Sequence, residues 1–267
     1  MPEETIYDAI SASLTNLKLD FSSQELAAIA SDRHYSEDQL QAVSDIFRYL
    51  SKKKRENVIN TLLKLSRLPL KEPKTFEGYD FSRLHGEDVQ ALKSLSALSE
   101  VNAGKNIAFV GPPGVGKTHL AQAYGRECCM HEMKTYYLKA SELNDKFTEA
   151  RKYGHEASTV QFLVKPTCLI IDEVGRCQFC KENTALFFDL IDRRYGKEGP
   201  HTIIFTSNKQ PNEWHDYFLG LDDLMCSLDR IFDKASIFDI KGESYRGRDR
   251  TTYAVEAGQS LDKSNQS

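Results

Sequence analysis

The run Gly111-Pro112-Pro113-Gly114-Val115-Gly116-Lys117-Thr118 fills every required position of the phosphate-loop pattern GxxxxGK[ST]. Its chemistry follows from the residue types. The glycines let backbone N–H groups converge on phosphate oxygens, and the helix that follows presents its positive N-terminal end to the same anion. Lys117 then bridges the β- and γ-phosphates of ATP, and the Thr118 hydroxyl ligates Mg²⁺. A second run, Cys168-Leu169-Ile170-Ile171-Asp172-Glu173, is an apolar strand ending in two acids. Asp172 is placed to hold Mg²⁺ through its water shell, and Glu173 to orient and polarise an attacking water. An acid at the end of a strand also serves as a helix cap, so this run takes its meaning from the loop before it. Hydrolysis, as opposed to binding alone, rests on Glu173. A third run, Thr206-Ser207-Asn208, puts Asn208 where it reaches the γ-phosphate or the water, or simply forms the turn at a strand exit.

These groups need a parallel sheet to bring them together. Short apolar stretches at Asn106–Val110, Thr135–Leu138, Cys168–Ile171, Thr202–Phe205 and Ser236–Ile240 read as buried strands. Helical stretches of about 10–15 residues alternate with them, one starting at His119 directly after the loop. Ahead of this α/β pattern the sequence is helical. Ser22 with Glu25 and Ser36 with Gln39 fit capping boxes. Leu40, Val43, Ile46, Phe47 and Leu50 share one helical face, and Val58, Ile59, Leu62, Leu63 and Leu65 repeat the spacing until Pro69 ends it. The expected organisation is a small all-helical N-terminal domain of short helices at 1–68, then a linker at 69–87. An α/β ATPase domain follows at 88–250, and a polar, disordered tail at 251–267. Phe76, Tyr79 and Phe81 make the linker too aromatic for a free tether, and they are expected to pack on the domain that follows.

Composition sets the outer bounds. Of 267 residues, 40% are hydrophobic and 28% charged, with a net charge of −4, which is the profile of a soluble globular chain. No apolar run approaches the roughly 18 residues of a membrane span, and no signal peptide is evident. Six cysteines, two of them adjacent at Cys128 and Cys129, do not form a disulfide framework, so a reducing cytoplasm is expected. Cys177 and Cys180 lack the second pair that a zinc site needs. His119 is expected to pack or cap. Charge is segregated along the chain: residues 1–47 carry a net −7 and residues 48–74 a net +7. Within the basic stretch, Lys52, Lys53, Lys54, Arg55, Lys64 and Arg67 are candidate contacts to a DNA phosphate backbone, against the alternative of a solvated helix face.

Taken together, GPPGVGKT, CLIIDE, TSN and a later LDR resemble an AAA+ ATPase. GPPGVGKTHLAQA, LIIDEVG, IIFTSNKQPNEW, LDRIF and GESYRGRDR are similar to IstB, the ATPase helper of insertion-sequence transposition, over roughly residues 62–250. The same group contains the DnaC-type helicase loaders. The resemblance implies an AAA+ P-loop fold, with Lys117 and Thr118 in the first phosphate motif, Asp172 and Glu173 in the second, and Asn208 as first sensor. It implies that Arg230 is an arginine finger acting on a neighbouring subunit, with Arg193 and Arg194 as rivals, and that Arg246 is a second sensor. Arg193 and Arg194 read equally well as cations at a helix C-terminus. Trp214 becomes a core anchor. A finger in trans implies a homo-oligomer, a ring or an open spiral. The implied role is assembly on duplex target DNA to assist a transposase. The alternative is a loader acting on single-stranded DNA and a replicative helicase. A third is an ATP-gated scaffold with slow hydrolysis.

Overall fold

The computed structural model describes residues 5–86, 88–220, 224–233, 235–242 and 244. Arg246 and the 251–267 tail lie outside the described residues.

Three helices come first: α1 (Ile6–Asn16), α2 (Ser23–Asp32) and α3 (Glu37–Leu65). Each opens with a reciprocal capping box, Thr5 with Asp8, Ser22 with Glu25 and Ser36 with Gln39. Helix α3 is one continuous element of 29 residues, not the short helices expected. The reason is local. The stretch Ser51-Lys52-Lys53-Lys54-Arg55-Glu56-Asn57 contains no glycine or proline, and Lys, Arg and Glu are good helix formers, so nothing interrupts the helix.

Downstream come α4 (Val89–Ser94), α5 (Ser99–Asn102), β1 (Ile107–Val110), α6 (Lys117–Met130), β2 (Thr135–Lys139), α7 (Ala140–Tyr153) and α8 (Glu156–Val164). They are followed by β3 (Cys168–Val174), α9 (Lys181–Tyr195), β4 (Thr202–Ser207), α10 (Leu224–Phe232) and β5 (Ser236–Asp239). The five strands form one parallel sheet in the order β2-β3-β4-β1-β5. All five expected strands are present, with ends shifted by a few residues.

Strands β1, β3 and β4 are buried on both faces, which is why they read as unbroken apolar runs. Side chains alternate between two cores. Ala108, Leu169, Ile171, Ile203 and Phe205 face one core, built with α7, α8, α9 and Trp214. Ile107, Phe109, Ile170 and Ile204 face the other, built with Leu120 and Tyr124 of α6. The second core also takes in Leu63 of α3 and Leu68, so the last turns of α3 are seated on the α/β unit. Just beyond α3, the Ser66 carbonyl accepts the Tyr137 N–H at 2.8 Å and occupies the outer edge of β2. The stretch 69–86 contributes to this core as well, since Phe76 and Tyr79 are buried in it and Phe81 packs against it. Trp214 is fully buried between Phe205 and Phe232, the anchor the sequence implied.

Candidate functional site

The loop between β1 and α6 turns on three glycines with positive φ: Gly111 at 139°, Gly114 at 86° and Gly116 at 89°. All three are also needed for space, since a Cβ on Gly111 would lie 2.1 Å from the Ile240 carbonyl oxygen. A Cβ on Gly116 would lie 2.5 Å from the Tyr79 ring, and one on Gly114 would lie 2.0 Å from Ser244 Oγ. The loop is therefore held from both sides by chain distant in sequence. Tyr79 donates its hydroxyl to the Val115 carbonyl at 3.0 Å, and His119 packs edge-on against Tyr79 with Nε2 2.8 Å from the Thr75 carbonyl. His119 thus packs, as expected. Lys117 is buried and donates Nζ to the carbonyls of Gly111 and Pro112 at 2.8 and 2.7 Å. The ammonium is folded over the loop, where an incoming phosphate competes with two carbonyl oxygens for it.

Opposite the loop stands the carboxyl end of β3. The β3–β4 register slips between Ile171 and Val174, and Glu173 takes a φ of 61°. An irregularity of this kind re-aims side chains at a strand end. Asp172 is 1% exposed and accepts three hydroxyls: Thr118 Oγ1 at 2.9 Å, Tyr137 OH at 2.7 Å and Thr206 Oγ1. Thr206 in turn accepts the Glu173 N–H at 2.9 Å, which ties both acids to the end of β4. Thr118 and Asp172 offer only oxygen donors, the set Mg²⁺ prefers, so these residues fit the ion that the motif implies.

Glu173 is held by two cations. Lys139 Nζ lies 3.1 Å from Oε2, and Arg176 pairs with Oε1. Burial pushes its carboxyl up, but the hydrogen bond and charge of Lys139, with Arg176 beside it, outweigh burial and bring it below its ordinary value. The stability this pairing adds is therefore present above the ordinary glutamate range and is lost as pH falls through the lowered value. For Tyr137, burial first and the Asp172 charge second push the phenol well above its ordinary value, so it stays a donor to Asp172.

The loop, Glu173, Thr206 and Asn208 line one cleft of about 850 Å³, closed on a third side by Lys74, Tyr79 and Asp80. Asn208 is exposed there, just past the end of β4. Arg230 is elsewhere. It pairs with Asp192 at 2.6 Å and shares a small cavity with Gly104, Asn106 and His201, at the amino ends of β1 and β4, the opposite edge of the sheet from the loop. Arg193 is exposed and pairs with Asp189 at 2.7 Å. Arg194 is a correction to the reading of it as a rival intersubunit contact. It is 1% exposed and donates to the carbonyls of Leu163, Val164, Pro166, Thr167 and Thr202. It caps the end of α8 and ties it to β4, a structural duty.

The basic candidates do not form one face, because successive side chains step about 100° around a helix. Arg55 pairs with Glu132 at 3.2 Å and Lys53 with Glu56 at 3.8 Å. Lys54 is half-buried and lines a groove with Leu17, Leu50 and Val58. Lys52 and Lys64 are exposed, and Arg67, just past the helix, pairs with Glu142 at 2.6 Å.

Sequence reading missed Thr206, Tyr137, Lys139 and Arg176 as site residues; Tyr79 packs on the following domain as expected, but its hold on the loop was not foreseen. A signal existed for two of them. Tyr137 and Lys139 are two apart at the end of β2, so they share a face, and Lys139 stands in register with Asp172.

A five-stranded parallel sheet in this order, with a phosphate loop after β1 and acids at the end of β3, defines an AAA+ P-loop ATP-binding protein. The solved structures it resembles agree at the level of fold. A DnaC helicase loader matches with a TM-score of 0.52 at 20% identity, covering 63% of this chain and 97% of the other. The replication initiator DnaA bound to AMPPCP and single-stranded DNA matches with a TM-score of 0.53 at 23% identity, covering 67% and 52%. The family model for IstB-like ATP binding proteins matches residues 12–253, and the chain belongs to that family. It is 38% identical over 197 residues to the ATP-binding protein assigned to insertion sequence IS5376 of Geobacillus stearothermophilus, covering 74% of this chain and 76% of the relative. It is 29% identical over 244 residues to that of IS232 from Bacillus thuringiensis subsp. berliner, covering 91% and 96%.

Proposed function

We propose that this protein is a Mg²⁺-dependent ATPase that assembles on duplex DNA and assists a transposase in the movement of an insertion sequence. The observation that supports it most is the meeting of Thr118, next to Lys117 at the start of α6, with Asp172 and Thr206 at the strand ends, Glu173 being next in the chain. Lys117 exchanges two loop carbonyls for the β- and γ-phosphates. Thr118 and Asp172 hold Mg²⁺, which when bound neutralises phosphate charge. Glu173 polarises the water, and Asn208 hydrogen-bonds the γ-phosphate or that water. Arg230 lines a cavity other than its own cleft, which supports its serving the site of a neighbouring subunit and an oligomer as the working species. Arg246 completes the site as second sensor. Lys52, Lys53, Lys64 and Arg67 meet the DNA backbone, so binding is salt-sensitive and weakly dependent on sequence. The insertion-sequence relatives favour this reading over a helicase loader, whose likeness rests on the fold.

The test is sedimentation with ATP on random-sequence duplex and on the matching single strands. Large ATP-dependent assemblies on duplex, lost in Lys117→Ala, are expected. Assembly confined to single strands would replace this reading with the helicase loader, and ATP-dependent assembly by Lys117→Ala would refute the nucleotide site.

A further inference from the structure

Tyr79 meets the phosphate loop at a single peptide, the one joining Val115 to Gly116. Its hydroxyl donates to the Val115 carbonyl at 3.0 Å, and its ring stands 2.5 Å from where a Cβ on Gly116 would lie. A peptide unit is planar and trans, so its carbonyl and its N–H point in opposite directions. Turning the Val115 carbonyl toward Tyr79 therefore turns the Gly116 N–H away from it. Gly116 directly precedes Lys117, the first residue of α6, so this N–H belongs to the helix start that receives the phosphates. Gly116 also makes the peptide easy to flip, because a residue without Cβ accepts either sign of φ. An outside hold is what selects one orientation. Tyr79 is a firm base for that hold. It is 6% exposed, packs in the core with Phe76 and donates its N–H to the Phe76 carbonyl at 3.1 Å. Thr75 Oγ1 accepts the Gly78 N–H at 3.1 Å and closes the turn before it. His119, in the first turn of α6, packs edge-on against the Tyr79 ring and places Nε2 2.8 Å from the Thr75 carbonyl.

We propose that Tyr79 is a positioning residue for the phosphate site, its hydroxyl holding the Val115–Gly116 peptide in the orientation from which the Gly116 N–H donates to a nucleotide phosphate. This deepens the reading above and rests on ATP binding at the loop. Without the hydroxyl, each arriving phosphate has to select the peptide orientation itself, and affinity falls by that cost of ordering. The hold acts on a backbone donor to phosphate and not on base or sugar, so its loss weakens every polyphosphate ligand by the same ratio. It is present in the ground state and the transition state alike, so affinity changes while turnover does not. The turn at 75–79 thus belongs to the nucleotide site, although it lies about 30 residues ahead of the phosphate motif.

The experiment is calorimetric titration of the full chain with ATP and with inorganic triphosphate, each with Mg²⁺, paired with phosphate release from ATP. Tyr79→Phe keeps the ring beside Gly116 and removes the hydroxyl. It is expected to raise Kd for ATP and for triphosphate by the same factor, about three- to tenfold, the scale of one neutral hydrogen bond. KM for ATP should rise in step and kcat should stay as it was. His119→Phe keeps an aromatic edge on Tyr79 but gives up the Thr75 carbonyl, and is expected to weaken both ligands together by a smaller factor; it carries the test if Tyr79→Phe does not fold. Unchanged affinity for both ligands overturns the positioning role. So does a loss confined to ATP, which would assign the hydroxyl to base or sugar, and so does a fall in kcat at constant KM, which would assign it to the chemical step. A wild type that binds ATP but not triphosphate overturns it as well, because the phosphates then do not carry the affinity. In each of these cases wild-type ATP binding leaves the nucleotide site standing. A wild type that binds neither ligand overturns the nucleotide reading and the role of Tyr79 with it.

Discussion

Helices α3 and α9 are built on opposite terms. The 15 residues of α9 bury seven side chains, Phe187, Phe188, Leu190, Ile191 and Arg194 among them, and its N-terminus has no side-chain cap. The 29 residues of α3 bury two, Ser44 and Leu63, and α3 opens with a full capping box. On α3, Val43, Ile46, Tyr49 and Leu50 remain exposed. One helix is held by what surrounds it and the other by its own ends and composition. The α/β unit thus gets its order from long-range packing, whereas the N-terminal helices get theirs from local hydrogen bonds and a small core of Ile10, Leu14 and Ala30.

Mutations that strike each source of order separate the two regions. The largest effect is expected from Trp214→Ala, which empties a site enclosed by Phe205 and Phe232. Denaturant titration should show a loss of about 3–5 kcal/mol in the unit that carries the cleft. A loss below about 1 kcal/mol would mean that this core is not what orders the unit. Leu14→Ala should cost about 2 kcal/mol, and amide exchange should rise in α1, α2 and the first half of α3 while β1, β3 and β4 keep their protection. Equal loss of protection in the strands would erase the contrast. Ser36→Ala should cost about 1 kcal/mol, seen as faster exchange in the first turn of α3 and no change in ATP binding.

The same contrast explains what the sequence made legible. The strands and the phosphate loop are dense local patterns: four or more apolar residues in a row, and glycines at fixed spacing before a lysine. The boxes at Ser22 and Ser36 are equally local, whereas Thr5 with Asp8 escaped notice because aspartate replaces the usual glutamate or glutamine. The unity of α3 was missed because two apolar faces separated by a basic run look like two helices, although only a breaker would divide them. Thr206 and Tyr79 act across 34 and 36 residues of chain, on Asp172 and Val115 respectively, and no spacing rule reaches that far. Arg194 shows the opposite failure. It sits one position from the exposed Arg193, and only the surrounding carbonyls tell the buried arginine from the solvated one.

Helix α3 has a mechanical side as well. At 1.5 Å per residue its 29 residues make a rod of about 43 Å. It is seated at one end, where Leu63 enters the core and Ser66 caps the edge of β2 beside the Glu142–Lys139 turn. Ahead of the α/β unit its main packing partner among the described residues is α1. A rod fixed in this way is a lever with its fulcrum at the sheet. A tilt of about 10° at the fulcrum carries the far end through about 7 Å, so small rearrangements beside the cleft become displacements as large as the rise of a helical turn.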